Sequence, residues 1–472
     1  MVLDLRPIFQ LRFHIWEHLS NCYEKDRGKE TFLPPYLIKN NNKMKTTIQY
    51  IFLPLAIFFL VSCQEEGNDF KTDKKDYDQF LASKPVKATS KYFKLWDSKI
   101  KSDSMQLLSL GNVAGEYSRF FKGTGDIKYL KDAEHSLKKA VEIAAVSKSG
   151  YLRALSRNYI SQHRFKEALE LAEKARTFGS GVKETQSLLF DLHMELGNYD
   201  LANKYLDSIQ NMSDFGYLIR VAKWNDHKGD LDTAITFMEK ATDKAESSKN
   251  RGLLLWSYTN LADFYGHAGR IEDSYHLYLK ALHIDPQNAY AKKGIAWIVY
   301  SHERNGKEAL RILDSIMEKN KSPEYHLLKA EVAAFLKDDM LRVQALDDYY
   351  KIVENNKDYE NMYNAYNVDF YLSMDVERKA FELAQEEVGN RPTPESYSWL
   401  AYSLLHLGEK QKAMEVIEQY VMGVTYEPAI LQQAAEIYKA NGEKEKVSEL
   451  KQELMGAAYE LGPVKEAQIA SL

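Results

Sequence analysis

The chain has 472 residues, 63 Lys and Arg against 68 Asp and Glu, a formal charge of −5 and two cysteines. An acidic chain repels a phosphate backbone, which argues against a nucleic-acid partner. Two cysteines exclude a disulfide scaffold, so a fold of this length must be held by packing.

Residues 1–43 share no pattern with the rest of the chain. His14-Ile-Trp-Glu17-His18 has the H-x-x-E-H spacing of an inverted zinc-peptidase motif, two histidines and an acid on one helical face. A second start lies downstream of it. Met44-Lys45 opens a short basic stretch, Ile51 to Leu60 is an apolar run too short to span a bilayer, and Leu60-Val61-Ser62-Cys63 closes it. That order describes a secretory signal over 44–62, and Leu60 to Cys63 resembles the lipobox of bacterial lipoproteins. The resemblance implies cleavage before Cys63 and acylation of its thiol. Each buried methylene adds about 0.8 kcal/mol, so several acyl chains anchor stably. Residues 1–43 then read as a misassigned start or a removed extension, and no metal site survives at His14 and His18. The chain from Cys63 onward keeps 55 basic and 63 acidic side chains, a charge of −8, and no other cysteine, since Cys22 lies in the extension.

Residues 63–85 read as an acylated cysteine followed by a flexible polar tether, since Gln64 to Asp69 and Lys71 to Asp76 show no apolar period. Gln64 in place of Asp after the cysteine favours the outer membrane. Gln64-Glu65-Glu66 resembles the acidic export signal of Bacteroidetes-type surface lipoproteins, so both a periplasm-facing and a cell-surface placement stay open. Over 86–121 aromatic and apolar groups (Tyr92, Phe93, Trp96; Leu107, Leu108, Leu110; Tyr117, Phe120, Phe121) fit an aromatic ligand site or an N-terminal helical cap. Solenoid ends need caps, and the cap is the expectation here.

From 122 to 460 one pattern governs. A small residue recurs at Ala133, Ala168, Ala202, Ala234, Ser274, Ala309, Ala345, Ala380, Ala413 and Val447, with gaps of 35, 34, 32, 40, 35, 36, 35, 33 and 34. These gaps average roughly one 34-residue helix-turn-helix repeat. Apolar columns follow four and seven residues later, as at Leu137 and Ala140 or Leu313 and Ile316, which puts all three on one helical face. Gly197, Gly229, Gly269, Gly408 and Gly442 mark tight turns between paired helices, with His163 and Asp375 in their place elsewhere. The 40-residue gap requires an insertion near Ala245 to Gly252. A tail at 461–472 follows Leu461, with Gly462-Pro463 ending the last helix, and it reads as solvating or frayed.

These columns resemble the tetratricopeptide repeat family, most clearly from Leu261-Ala262-Asp263-Phe264-Tyr265 through Gly269 to Ala281-Leu282-His283-Ile284-Asp285-Pro286. The resemblance implies an all-α, right-handed α-solenoid of about ten helix-turn-helix units, with the first helix of each unit lining a concave face. Carried over, that face holds Arg153, Arg157, Asp191, Ile219, Lys223, Trp256, Thr259, Asp263, Ile298, Asp369, Ser398, Tyr402 and Glu436, about half of them exposed. Mixed charge with Trp256 and Tyr402 as anchors suits a protein or peptide partner. The Lys and Asn clamp by which some repeat proteins grip a C-terminal carboxylate is not assembled at Arg157, Asp191, Lys223, Asp263, Ile298, Ala334, Asp369, Tyr402 and Glu436.

No phosphate loop, nucleophile elbow or zinc motif appears after Cys63, and no acid joins His267, His276 and His283 in a convincing ligand set. The expectation is a non-enzymatic, lipid-anchored scaffold of the cell envelope, without cofactor or metal. The alternative is a nutrient-binding lipoprotein like the starch-binding SusD family, which also combines a lipobox, tetratricopeptide units and glycan-stacking aromatics. Those proteins interrupt their repeats with long loops, whereas this chain has 11 Pro, 6 Trp and nearly continuous repeats.

Overall fold

The computed structural model describes residues 70–82, 91–100 and 106–472. The extension at 1–43 with His14, Glu17 and His18, the signal at 44–62 and Cys63 lie outside the described residues. Among the described residues the chain forms 23 α-helices. Helices α1 (Lys74–Leu81) and α2 (Lys91–Asp97) precede ten antiparallel hairpins. The first five are α3 (Leu107–Thr124) with α4 (Ile127–Ile143), α5 (Lys148–Ser161) with α6 (Phe165–Thr177), α7 (Val182–Glu195) with α8 (Tyr199–Ser208), α9 (Phe215–His227) with α10 (Leu231–Ser248), and α11 (Arg251–His267) with α12 (Ile271–Ile284). The other five are α13 (Ala289–Trp297) with α14 (Gly306–Met317), α15 (Glu324–Phe335) with α16 (Asp339–Glu354), α17 (Asn364–Ser373) with α18 (Glu377–Asn390), α19 (Pro394–His406) with α20 (Lys410–Tyr420), and α21 (Pro428–Asn441) with α22 (Lys444–Gly456). Helix α23 (Ala458–Ala470) closes the chain, and the whole is the expected all-α solenoid.

Each small column residue sits on the second helix of its hairpin, where paired helices come closest. All ten are buried, nine of them to 1 % exposure or less. A larger side chain there would push the pair apart at a cost of about 1–3 kcal/mol. Every hairpin turn places one residue in the left-handed region. Six use Gly, and four use His163 (φ 57°), Arg304 (57°), Lys337 (59°) and Asp375 (56°). The expected insertion before Ser274 lengthens α10, which runs 18 residues and stops at left-handed Lys249. Asn250 then caps α11, its Oδ1 accepting from the amides of Gly252 and Leu253 at 2.9 and 3.1 Å. A π-helical turn at Ile298–His302 extends α13.

Three expectations need correction. The tether expected over 63–85 is ordered where it is described: Tyr77, Phe80 and Leu81 are buried, and α1 packs on α12 and α14. Its offsets of three and four make a one-sided apolar face that the surrounding charges obscured. Glu308 on α14 fixes it, taking hydrogen bonds from Lys74 Nζ at 2.7 Å and Tyr77 Oη at 3.0 Å. The cap expected over 86–121 extends into α3, which is already the first helix of hairpin one, with Phe93 of α2 edge-on to Tyr117 and Phe120. The tail at 461–472 is neither frayed nor solvating. Gly462 (φ 80°, ψ 163°) breaks α23, yet Leu461 and Ile469 are buried. Trp297 Nε1 and Ser301 Oγ both donate to the Tyr459 carbonyl, at 3.1 and 2.6 Å.

The solenoid also closes on itself. The turn of each of the first five hairpins meets the segment that follows the hairpin five places later, and the turn of the sixth meets α23. The Lys321 amide donates to the Thr124 carbonyl at 2.7 Å, Arg164 stands 3.6 Å from Glu360, and Arg304 bonds Glu466. The approach leaves no room for a side chain at Gly125, Gly197 or Gly229: a Cβ there would lie within 2.5 Å of the Ser322 amide nitrogen, 2.7 Å of the Pro392 carbonyl oxygen or 2.7 Å of the Tyr426 ring. Successive superhelical turns are therefore pressed edge to edge, and the concave side becomes interior.

Candidate binding cavity

Closure decides where the thirteen residues expected on the concave face reside. Eleven are buried, Asp263 and Glu436 are half-buried, and none is exposed. The expectation that half are exposed fails because that face looks across a narrow space at the next superhelical turn. Many are also occupied by neighbours. Arg153 donates to the Ser180 carbonyl at 3.0 Å, Asp191 receives Arg220 Nε at 3.0 Å, and Tyr402 donates to Glu436 at 2.6 Å. Trp256 lies edge-on to Phe215 at 5.8 Å. Arg157 and Asp369 are buried beside their own hairpins.

Lys223 and Asp263 of that set open onto one shared space. This is a cavity of about 360 Å³ at the seam, between the first helices of hairpins three to five and the hairpins nine and ten that face them. Its size lies at the lower end of ligand-binding pockets, roughly 300–1,000 Å³. From the near side α7 supplies Glu195, α9 Lys223, Asp226 and His227, and α11 Asp263, Phe264 and His267. From the far side come Arg391, Glu395 and Trp399 around the start of α19, Tyr426 and Glu427 before α21, and Glu453 and Glu460.

Two buried ion pairs brace the wall. Lys223 Nζ binds Glu195 Oε1 at 2.9 Å. Arg391 Nε binds Glu387 at 2.9 Å, and its Nη1 stands 3.9 Å from Glu195 Oε2 across the seam. The Arg391 guanidinium also lies over Phe165 and Trp399 at 5.6 and 5.4 Å. Burial pushes the Glu195 carboxyl above its ordinary range against the pull of Lys223 and Arg391. It does the same to Asp263, opposed by hydrogen bonds from Tyr278 and Tyr290. Burial lowers His227, whose ring lies tilted by 31° against Tyr199 with centroids 4.0 Å apart. His267 pairs with Glu460 at the far end. Among the described residues no group of three or more His, Cys, Asp or Glu is placed to hold a metal ion.

One signal for this site was present in the sequence. Adding four to the expected columns Asp191, Lys223 and Asp263 gives Glu195, His227 and His267, one helical turn further along, and all three line the cavity. The far wall had no such signal, because its residues are linked to the near wall only by superhelical closure.

Residues 257–288 match the tetratricopeptide repeat family. The match spans most of α11 and all of α12, the hairpin whose sequence carries the pattern most clearly. No curated protein matches the chain in sequence. Among solved structures it is similar to a tetratricopeptide repeat protein from Parabacteroides merdae, at 19 % identity and a TM-score of 0.32, covering 55 % of this chain and 97 % of that one. It is also similar to the APC/C hetero-tetramer Cut9-Hcn1, at 11 % identity and a TM-score of 0.32, covering 80 % and 95 %. For yeast Tom70 the figures are 10 % identity, a TM-score of 0.37, and 84 % and 95 %. Scores this low say nothing of what the chain binds.

Proposed function

We propose that the chain is a non-enzymatic, lipid-anchored repeat scaffold that binds a protein or peptide partner in the cell envelope. The observation that carries the binding part is the seam cavity, a half-open, mixed aromatic and charged space on the concave side of a helical-repeat stack. Supporting the address is Leu60-Val61-Ser62-Cys63 at the end of an apolar run. Acylated Cys63 would hold the solenoid at the outer membrane, facing the periplasm or the cell surface. Among the described residues no helix is long and apolar enough to cross a membrane, so attachment there would rest on the lipid.

The test is fractionation of cells expressing the full chain as wild type and as Cys63→Ala, followed by crosslinking in intact envelopes. Release of the variant into the soluble fraction together with a defined protein crosslink to the wild type is the expected result. Unchanged membrane retention of Cys63→Ala would remove the anchor. Tight binding to a defined oligosaccharide with no protein crosslink would remove the scaffold.

A further inference from the structure

The seam cavity has an unbalanced charge. Seven of its lining residues are Asp or Glu, and two are Lys or Arg. Both cations are already held, Lys223 by Glu195 and Arg391 by Glu387. Glu395 and Glu453 make no hydrogen bond or ion pair through their side chains with any described residue. Glu395 is half-buried in the wall, and Glu453 is exposed. Glu195 adds an independent sign of an unfilled acceptor site. It is 3 % exposed and lines the cavity, and its Oε2, 3.9 Å from Arg391 Nη1, accepts no hydrogen bond. A buried carboxylate oxygen left without a donor carries a desolvation cost of about 1–3 kcal/mol or more. Tyr199, Phe264 and Tyr426 line the same cavity. Carboxylate oxygens with acceptor sites left unfilled, lining a half-open cavity together with aromatic rings, are what a guanidinium or ammonium group requires.

We infer that the cavity receives the cationic side chain of an Arg or Lys from a partner segment, with Glu195 Oε2 and Glu395 meeting its charge and the aromatic wall covering its stem. This deepens the scaffold reading and rests on it for the source of the side chain. The dimensions agree: the space admits one long side chain and excludes a folded domain. Tyr426, half exposed on the rim against Gly229, marks the entrance.

The test uses the detergent-solubilised full chain and calorimetric titration with a capped pentapeptide, Gly-Gly-Arg-Gly-Gly. Its comparison probes are the same peptide with citrulline, which keeps the shape and removes the charge, and free spermidine. The arginine peptide is expected to bind at least about tenfold more tightly than the citrulline peptide. Glu395→Gln is expected to erase most of that difference while leaving the helical circular dichroism unchanged. Tyr426→Lys, which sets an internal cation at the exposed rim, should weaken the arginine peptide without disturbing the fold. Equal affinity for arginine and citrulline peptides, no binding of the arginine peptide at millimolar concentration, or indifference to both variants would overturn the inference. Spermidine binding far more tightly than the peptide would overturn the partner side chain as the source and point to a small amine. An envelope crosslink unaffected by Glu395→Gln and by excess arginine peptide would remove the cavity and leave the scaffold. Arginine-selective binding without any envelope partner would do the reverse.

Discussion

The two helices of each hairpin are buried for different reasons. Second helices bury small and aliphatic residues, such as Ala309 and Leu313 at 0 % exposure, against their own and the next hairpin. First helices bury charge, such as Lys223, Arg220 and Asp191, against side chains on neighbouring first helices and across the seam. The former burial comes from stacking at a period of one repeat, the latter from pairing between adjacent first helices together with closure five repeats away. A charged residue on a concave face therefore need not be a ligand contact, since a solenoid that closes far enough becomes its own partner.

That contrast can be broken at several strengths. Arg391→Met removes the one cation that reaches Glu195 across the seam and leaves Glu387 and Glu195 short of charge. Removing one member of a buried pair costs roughly 3–5 kcal/mol. The expected outcome is an open seam, read as a larger radius of gyration in solution scattering with helical content retained; an unchanged radius would mean that closure does not depend on this group. Leu313→Ala acts on the stack instead, with an expected loss of roughly 2–5 kcal/mol. It should lower the unfolding transition of the repeats in thermal denaturation without opening the seam beforehand. The smallest effect is electrostatic. Burial alone would raise the Glu308 carboxyl, but its hydrogen bonds to Arg311, Lys74 and Tyr77 hold it down at about 2. A depressed carboxyl contributes stability that is fully present above the ordinary value of 4.5 and is lost as pH falls through that value toward 2. Hydrogen exchange at the amides of 74–81 should accelerate over this window while hairpin amides stay protected, and uniform acceleration would contradict the assignment.

How much was legible follows the same division. Hairpins two to ten, the buried column and most of the turns could be read from the chain, because each is enforced by contacts within about one repeat, whereas the first helix of hairpin one reads as a cap. Arg304 and Lys337 escaped notice as turn residues because nothing in a Lys or Arg marks a left-handed backbone. Helix α1 was missed because Lys74, Lys75, Asp76 and Asp78 made a three-residue apolar face look like a linker. The cavity's near wall was one helical turn from columns already identified. Its far wall was not recoverable, since no periodicity relates Glu195 to Arg391.

The seam has a consequence for how the molecule comes apart. An open array of repeats melts from its ends, each hairpin depending only on its neighbours. Here Lys131 bonds Glu360 and Lys166 bonds the Gly389 carbonyl, pairs separated by 229 and 223 residues. Helix α23 is likewise tied to hairpins five and six. Such distant contacts slow assembly and join the two ends of the stack into one cooperative unit. Pulled from its termini, this chain should resist and then give way in a single event where an open array would unzip in steps.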